Sequence, residues 1–143
     1  MSVNDLSGNF EQPLSLSGKP PMLSPKTILV VDDDHLSRTL VSRILKKEGY
    51  AIQLAANGRE AIDRVTENPP DLAVVDVLMP QVSGMEFLRW LREHHQQIPV
   101  IMLTSIEENS RLASEARELG VRDFFTKPGN YKHLLETIHK ILP

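Results

Sequence analysis

From Lys26 onward the chain alternates between two hydrophobic periods. Thr27-Ile28-Leu29-Val30-Val31 and Leu72-Ala73-Val74-Val75 are unbroken, β-branched-rich apolar runs, the pattern of strands buried on both faces. Ala51 to Ala55, Pro99-Val100-Ile101-Met102-Leu103 and Val121 to Thr126 predict three more strands. Between them the spacing turns helical. Leu36, Leu40, Val41, Ile44 and Leu45 predict a helix over about 35–48 with one apolar face, closed by Gly49. Asn57 caps a second helix carrying Ala61, Ile62 and Val65, ended near Pro69-Pro70. A third runs from Gly84 to about His94 with Met85, Leu88 and Leu91 inward. A fourth, from about Glu107 to Leu119, buries Leu112, Ala116 and Leu119 and stops at Gly120. The last, about Asn130 to Leu142, places Tyr131, Leu134, Leu135, Ile138, Ile141 and Leu142 at helical spacing. Five such βα units imply a parallel sheet with right-handed crossovers and helices on both faces.

The first 25 residues break this pattern. They hold Pro13, Pro20, Pro21 and Pro25, four of the ten prolines, with few charges and few large apolar side chains. Such a segment buries too little surface to offset its ordering entropy and is expected to be a disordered tail, or else a docking arm using Phe10, Leu14 and Leu16. Residues 26–143 are then one domain, long enough for a real core. Apolar content of 41% and charged content of 24% are those of an ordinary globular chain. A net charge of −3 without a Lys/Arg-rich run argues against direct nucleic-acid binding. The absence of cysteine excludes disulfides and thiolate metal sites and fits a reducing compartment. No run approaches the ~20 apolar residues of a membrane span, and no signal-peptide pattern opens the chain, so a cytoplasmic protein is expected.

The chemistry lies where the apolar runs stop. The first strand ends in Asp32-Asp33-Asp34, the third in Asp76, the fourth in Thr104-Ser105 and the fifth in Lys127. In open parallel sheets ligands bind beyond the carboxyl ends of the strands, so these residues are expected to share one acidic pocket with a hydroxyl and an amine at its sides. Clustered carboxylates repel one another unless a hard cation or a Lys neutralises them. A carboxylate can also accept a phosphoryl group as an acyl phosphate, a reaction assisted by Mg²⁺ held on one or two carboxylates and waters. Asp33 and Asp76 would ligate the ion directly, Asp32 through a water, and the Leu78 carbonyl would add a neutral oxygen. Lys127 would pair with Asp76, then with phosphoryl oxygens, and Thr104 would donate to one of them. Singly, each residue has a plainer reading: Asp32, Asp33 and Thr104 as helix caps, Asp76 as a loop acid, Lys127 as a surface cation.

Taken together, Val30-Val31-Asp32-Asp33, Asp76-Val77-Leu78-Met79-Pro80 with Ser83-Gly84, Pro99 to Ser105, and Phe124-Phe125-Thr126-Lys127-Pro128 resemble the receiver domain of two-component response regulators over residues 26–143. The resemblance implies a flavodoxin-like, CheY-like doubly wound sheet in the order 2-1-3-4-5. It implies Asp76 as phosphoacceptor, Asp32 and Asp33 as metal-site acids, Thr104 as switch hydroxyl, Lys127 as phosphate-sensing amine on a peptide typically cis to Pro128, and Phe124 as switch aromatic. A histidine kinase or His phosphotransfer protein would supply the phosphoryl group, and an effector protein would read the face of the fourth helix, fifth strand and fifth helix. On that face Arg111, Glu115, Glu118, Lys132, Glu136 and Lys140 are candidate contacts. With the chain ending after the fifth helix, a stand-alone receiver that is not itself an enzyme is expected.

Some positions depart from the family's usual pattern. Asp34 makes a third acid, and Gly129 replaces a bulky apolar residue after Lys127-Pro128. Leu78 and Ile106, two residues past Asp76 and Thr104, are often polar in the family. Aliphatic side chains there exclude and cannot orient a water, so a slowly hydrolysed acyl phosphate is expected. Trp90 falls roughly opposite Leu88 and is expected on the surface beside Phe87, as an isolated aromatic or a partner contact. His94-His95 is read as a solvated helix end. The main rival is a pseudo-receiver that binds without being phosphorylated; the full acid, Thr and Lys set argues against it. A haloacid dehalogenase-type phosphatase would need an acid at Leu78, and a flavodoxin a Ser/Thr/Gly-rich loop after the first strand; both are missing.

Overall fold

Five parallel strands alternate with five helices, and the computed structural model describes residues 24–76, 83–104, 110–126 and 131–143. In chain order the elements are β1 (Thr27–Val31), α1 (His35–Lys47), β2 (Ala51–Ala55), α2 (Gly58–Glu67), β3 (Leu72–Val75), α3 (Gly84–His94), β4 (Val100–Thr104), α4 (Arg111–Glu118), β5 (Asp123–Thr126) and α5 (Tyr131–Ile141). The sheet order is β2-β1-β3-β4-β5, the expected 2-1-3-4-5. Residues 1–23 and the Lys127-Pro128-Gly129-Asn130 segment lie outside the described residues, as do 77–82 and 105–109.

Strand alternation divides the core into two layers. Leu29 and Val31 of β1, Ala73 and Val75 of β3 and Val100 and Met102 of β4 pack under α2, α3 and α4 with Ala61, Val65, Leu88 and Leu91. Ile28, Val30, Leu72, Val74, Ile101 and Leu103 face the other way and meet Val41, Leu45, Leu134 and Ile138 of α1 and α5. All four residues of β3 are buried, which accounts for its unbroken apolar run.

Local sequence sets the helix ends. Asn57 caps α2 by accepting from the Glu60 N–H (2.9 Å), while the Glu60 carboxylate accepts from the Ala56 N–H (2.8 Å). Ser83 and Glu86 form a full capping box at the start of α3. Gly49 and Gly120 follow α1 and α4 in the left-handed region, with φ of 98° and 86°.

Four expectations are corrected. First, on α1 only Val41 and Leu45 are buried, with Ser42; Ile44 is half-buried, and Leu36 and Leu40 are 77% and 45% exposed. At ~100° per residue the five apolar residues span about 180° of the wheel, so Leu36 sits opposite Leu45. They were never one face. Second, Trp90 is half-buried on the α2–α4 layer, stacked on the fully buried Phe87 (ring centroids 6.3 Å apart) and on His94 (4.6 Å). Helix α3 packs against α2 on one side and α4 on the other, which widens its buried arc beyond the face toward the sheet. The histidines at its end are accordingly stacked on the indole; His95 is half-buried and His94 exposed. Third, α4 begins at Arg111, because Ser110 takes an extended backbone and caps it by accepting from the Ala113 N–H (3.1 Å). Fourth, β5 is shorter than the expected Val121 to Thr126, starting at Asp123, because the Val121 N–H still bonds back to the Ala116 carbonyl (3.1 Å) at the end of α4.

At the amino end of the sheet Arg92 joins α3 to the end of α4. Its guanidinium donates to the carbonyls of Leu119, Gln96 (3.0 Å) and Ile98 (2.8 Å), and partial burial lowers its pKa.

Candidate functional site

Register places the acids. In the parallel sheet Val31 pairs with Val75, so the residues that follow them, Asp32 and Asp76, leave adjacent strands at the same level. The Asp76 N–H donates to the Val31 carbonyl (2.9 Å) and the Asp32 N–H to the Ala55 carbonyl (3.0 Å), which extends the ladder just beyond the strand ends. Asp32 and Asp76 are buried and Asp33 is exposed. One carboxylate oxygen from each of the three lies within 4.8 Å of the others. Thr104 pairs with Thr126 at the same end of the sheet. Its side chain, Lys127, Leu78 and Ile106 lie outside what is described.

The loop carrying two of the acids is held from below by α1. Asp34 is the N-cap of that helix and accepts from the Ser37 N–H (3.1 Å). That occupies the third acid with helix capping and separates it in role from its two neighbours. The Asp34 N–H donates to Asp32 Oδ1 (3.0 Å), which fixes that carboxylate's rotamer. From the first turn of α1, Arg38 donates through Nη1 to the carbonyl of Asp32 (2.7 Å), with His35 Nδ1 3.2 Å from its Nη2. Sequence reasoning missed Arg38. An Arg four residues after a cap on an exposed-looking turn carries no signal by itself; only the folded loop brings it back to Asp32.

This donor set suits a small hard cation. Three carboxylate oxygens from a hydrogen-bonded loop and a strand end, exposed on the Asp33 side, match the oxygen chemistry that Mg²⁺ prefers. Two of the acids are buried side by side, an arrangement whose repulsion a cation relieves.

At β5 Phe124 is half-buried, and the Arg117 guanidinium lies 5.0 Å from its ring centroid. Arg111, Glu118, Lys132, Glu136 and Lys140 are exposed. Glu115 instead accepts two hydrogen bonds from Arg89 of α3 (2.8 and 2.6 Å), so it ties α4 to its neighbour.

A doubly wound five-stranded sheet with an acidic cluster at the carboxyl ends of its first and third strands defines a class, and the chain belongs to it: residues 28–139 match the response regulator receiver domain family of two-component systems. Among its relatives, the alkaline phosphatase synthesis transcriptional regulatory protein SphR of Synechococcus elongatus is 35% identical over 154 residues, covering 99% of this chain and 58% of SphR. Sporulation initiation phosphotransferase F of Bacillus subtilis is 36% identical, over 81% of this chain and 93% of that protein. Among solved structures, Vibrio cholerae chemotaxis protein CheY4 superposes with a TM-score of 0.76 at 32% identity, covering 82% of this chain and 99% of CheY4. The chain spans about half the length of several curated relatives it matches, 58% of SphR and 51% of the response regulator MprA of Mycolicibacterium vanbaalenii. Among the described residues no helix is long and apolar enough to cross a membrane.

Proposed function

We propose that this receiver takes a phosphoryl group on Asp76 from a histidine kinase or a His phosphotransfer protein, and that the modified domain switches a protein–protein contact. The observation that carries this reading is the approach of Asp32, Asp33 and Asp76 to within 4.8 Å at the carboxyl edge of the sheet. A carboxylate oxygen of Asp76 attacks phosphorus, the new O–P bond replaces the donor's N–P bond, and the imidazole leaves. Asp33 and Asp76 would hold Mg²⁺ directly, with Asp32 acting through a water and the Leu78 carbonyl completing the set; the ion supplies charge neutralisation on the phosphoryl oxygens. Lys127 pairs with Asp76 before transfer and with the phosphoryl group afterwards, and Thr104 donates a hydrogen bond to it. Phe124 then leaves its place beside Arg117 and remodels the face of α4, β5 and α5 that an effector protein reads.

The acidic mouth and the two exposed leucines beside it, Leu36 and Leu40 on α1, support docking of the phosphodonor protein at this edge. The domain acts on its own phosphorylation and dephosphorylation only, in the cytoplasm, without contacting nucleic acid. Residues 26–143 form the working unit and 1–25 a tail. Intact mass after incubation with acetyl phosphate tests the reading. One phosphoryl group is expected, dependent on Mg²⁺ and lost in Asp76→Asn. No addition under any condition would leave a phosphorylation-independent binding module.

A further inference from the structure

Arg38 holds the peptide that joins the two neighbouring acids. Its Nη1 donates to the Asp32 carbonyl at 2.7 Å, and that carbonyl belongs to the Asp32–Asp33 peptide. The Asp34 N–H fixes the Asp32 carboxylate from the other side (3.0 Å), and the first helical backbone bond, from the Arg38 N–H to the Asp34 carbonyl (2.9 Å), anchors the far end of the loop whatever side chain stands at 38. His35, one turn earlier, presents Nδ1 to the second arm of the guanidinium (3.2 Å) and sets its direction. Arg38 is half-buried, whereas Asp33, the acid whose direction this peptide fixes, is exposed. An exposed carboxylate that had to be ordered on binding would lose affinity through that ordering.

We propose that Arg38 is a positioning residue for the cation site: it fixes the Asp32–Asp33 peptide so that both carboxylates face one ion. The proposal rests on the reading of Asp32, Asp33 and Asp76 as that site. It makes an unusual demand of sign. A guanidinium beside a cation site repels the ion, so by charge alone its removal should tighten Mg²⁺ binding. By positioning, its removal should weaken it, since partners that orient metal ligands are worth about tenfold or more in affinity.

Calorimetric titration of the full chain with MgCl₂ separates the two. Arg38→Met is expected to bind Mg²⁺ about tenfold more weakly than the wild type while still unfolding cooperatively in metal-free buffer, at a melting temperature lowered by the lost hydrogen bond and the lost cation beside the acids. With acetyl phosphate, its half-saturating Mg²⁺ should rise by the same factor while the rate at saturating Mg²⁺ stays near that of the wild type. His35→Ala removes the guanidinium's second partner while leaving Arg38 in place, and it sits on an exposed turn; it should weaken binding about threefold, and it decides the question if Arg38→Met does not fold. Equal or tighter binding by a folded Arg38→Met, or unchanged binding by His35→Ala when Arg38→Met does not fold, overturns the proposal. Absence of Mg²⁺ binding by the wild type itself would instead sink the reading of the acids as a cation site, and the positioning role with it. An Asp32→Asn control locates whatever binding is seen.

Discussion

At the scale of single residues, position relative to the strand end decides what an acid does. Asp32 and Asp76 leave paired strands at one level and are buried together, while Asp34, two residues on, caps a helix. Removing a carboxylate from the cluster relieves repulsion, so Asp33→Asn is expected to raise the melting temperature in metal-free buffer, measured by circular dichroism, even as it lowers Mg²⁺ affinity. Asp34→Ala should instead cost about 1 kcal/mol, the usual worth of an N-cap, read in urea titration. The acyl phosphate should be long-lived, because Leu78 and Ile106 offer no hydrogen bond to an attacking water. Leu78→Asn combined with Ile106→Glu is expected to accelerate loss of phosphate from the isolated protein, and an unchanged rate would remove that explanation.

At the scale of elements, the informative helix is α1. Its pattern announced a helix correctly, and its cap and closing Gly49 lie where the residue types require. The pattern could not say which of two adjoining apolar arcs met the sheet. The strand layer selects Val41 and Leu45 and leaves Leu36 and Leu40 outside. Leu45→Ala should therefore cost about 2–5 kcal/mol of unfolding free energy. Leu36→Ala on the same helix should cost under about 0.5 kcal/mol. Phosphotransfer from a protein donor is the property expected to suffer from Leu36→Ala, with acetyl phosphate turnover unchanged. Helix α3 departs in the opposite direction: Trp90 lies opposite Leu88 on the wheel, yet it is half-buried against the core layer and stacked between Phe87 and His94.

At the scale of the whole molecule, cation binding at the acidic cluster would be linked to folding. An ion that binds the folded cluster and not the unfolded chain stabilises by about 2.7 kcal/mol at a hundred times its dissociation constant. MgCl₂ is expected to raise the melting temperature of the wild type by several degrees and to leave Asp32→Asn nearly unmoved. A shift of equal size in that variant would place the ion elsewhere.

The sequence by itself determined the alternation of strands and helices, their order, and the set of residue types at the strand ends, because hydrophobic period and breaker residues are local properties. From these the parallel, doubly wound sheet and its acidic edge follow. The tertiary structure alone decided which arc of α1 is buried, how far α3 is covered, and that Ser110 rather than an earlier residue opens α4. It alone brought Arg38 back to the Asp32 carbonyl and drew Glu115 to Arg89. Each of these depends on which surfaces meet when layers stack, and that contact is set by residues distant in the chain.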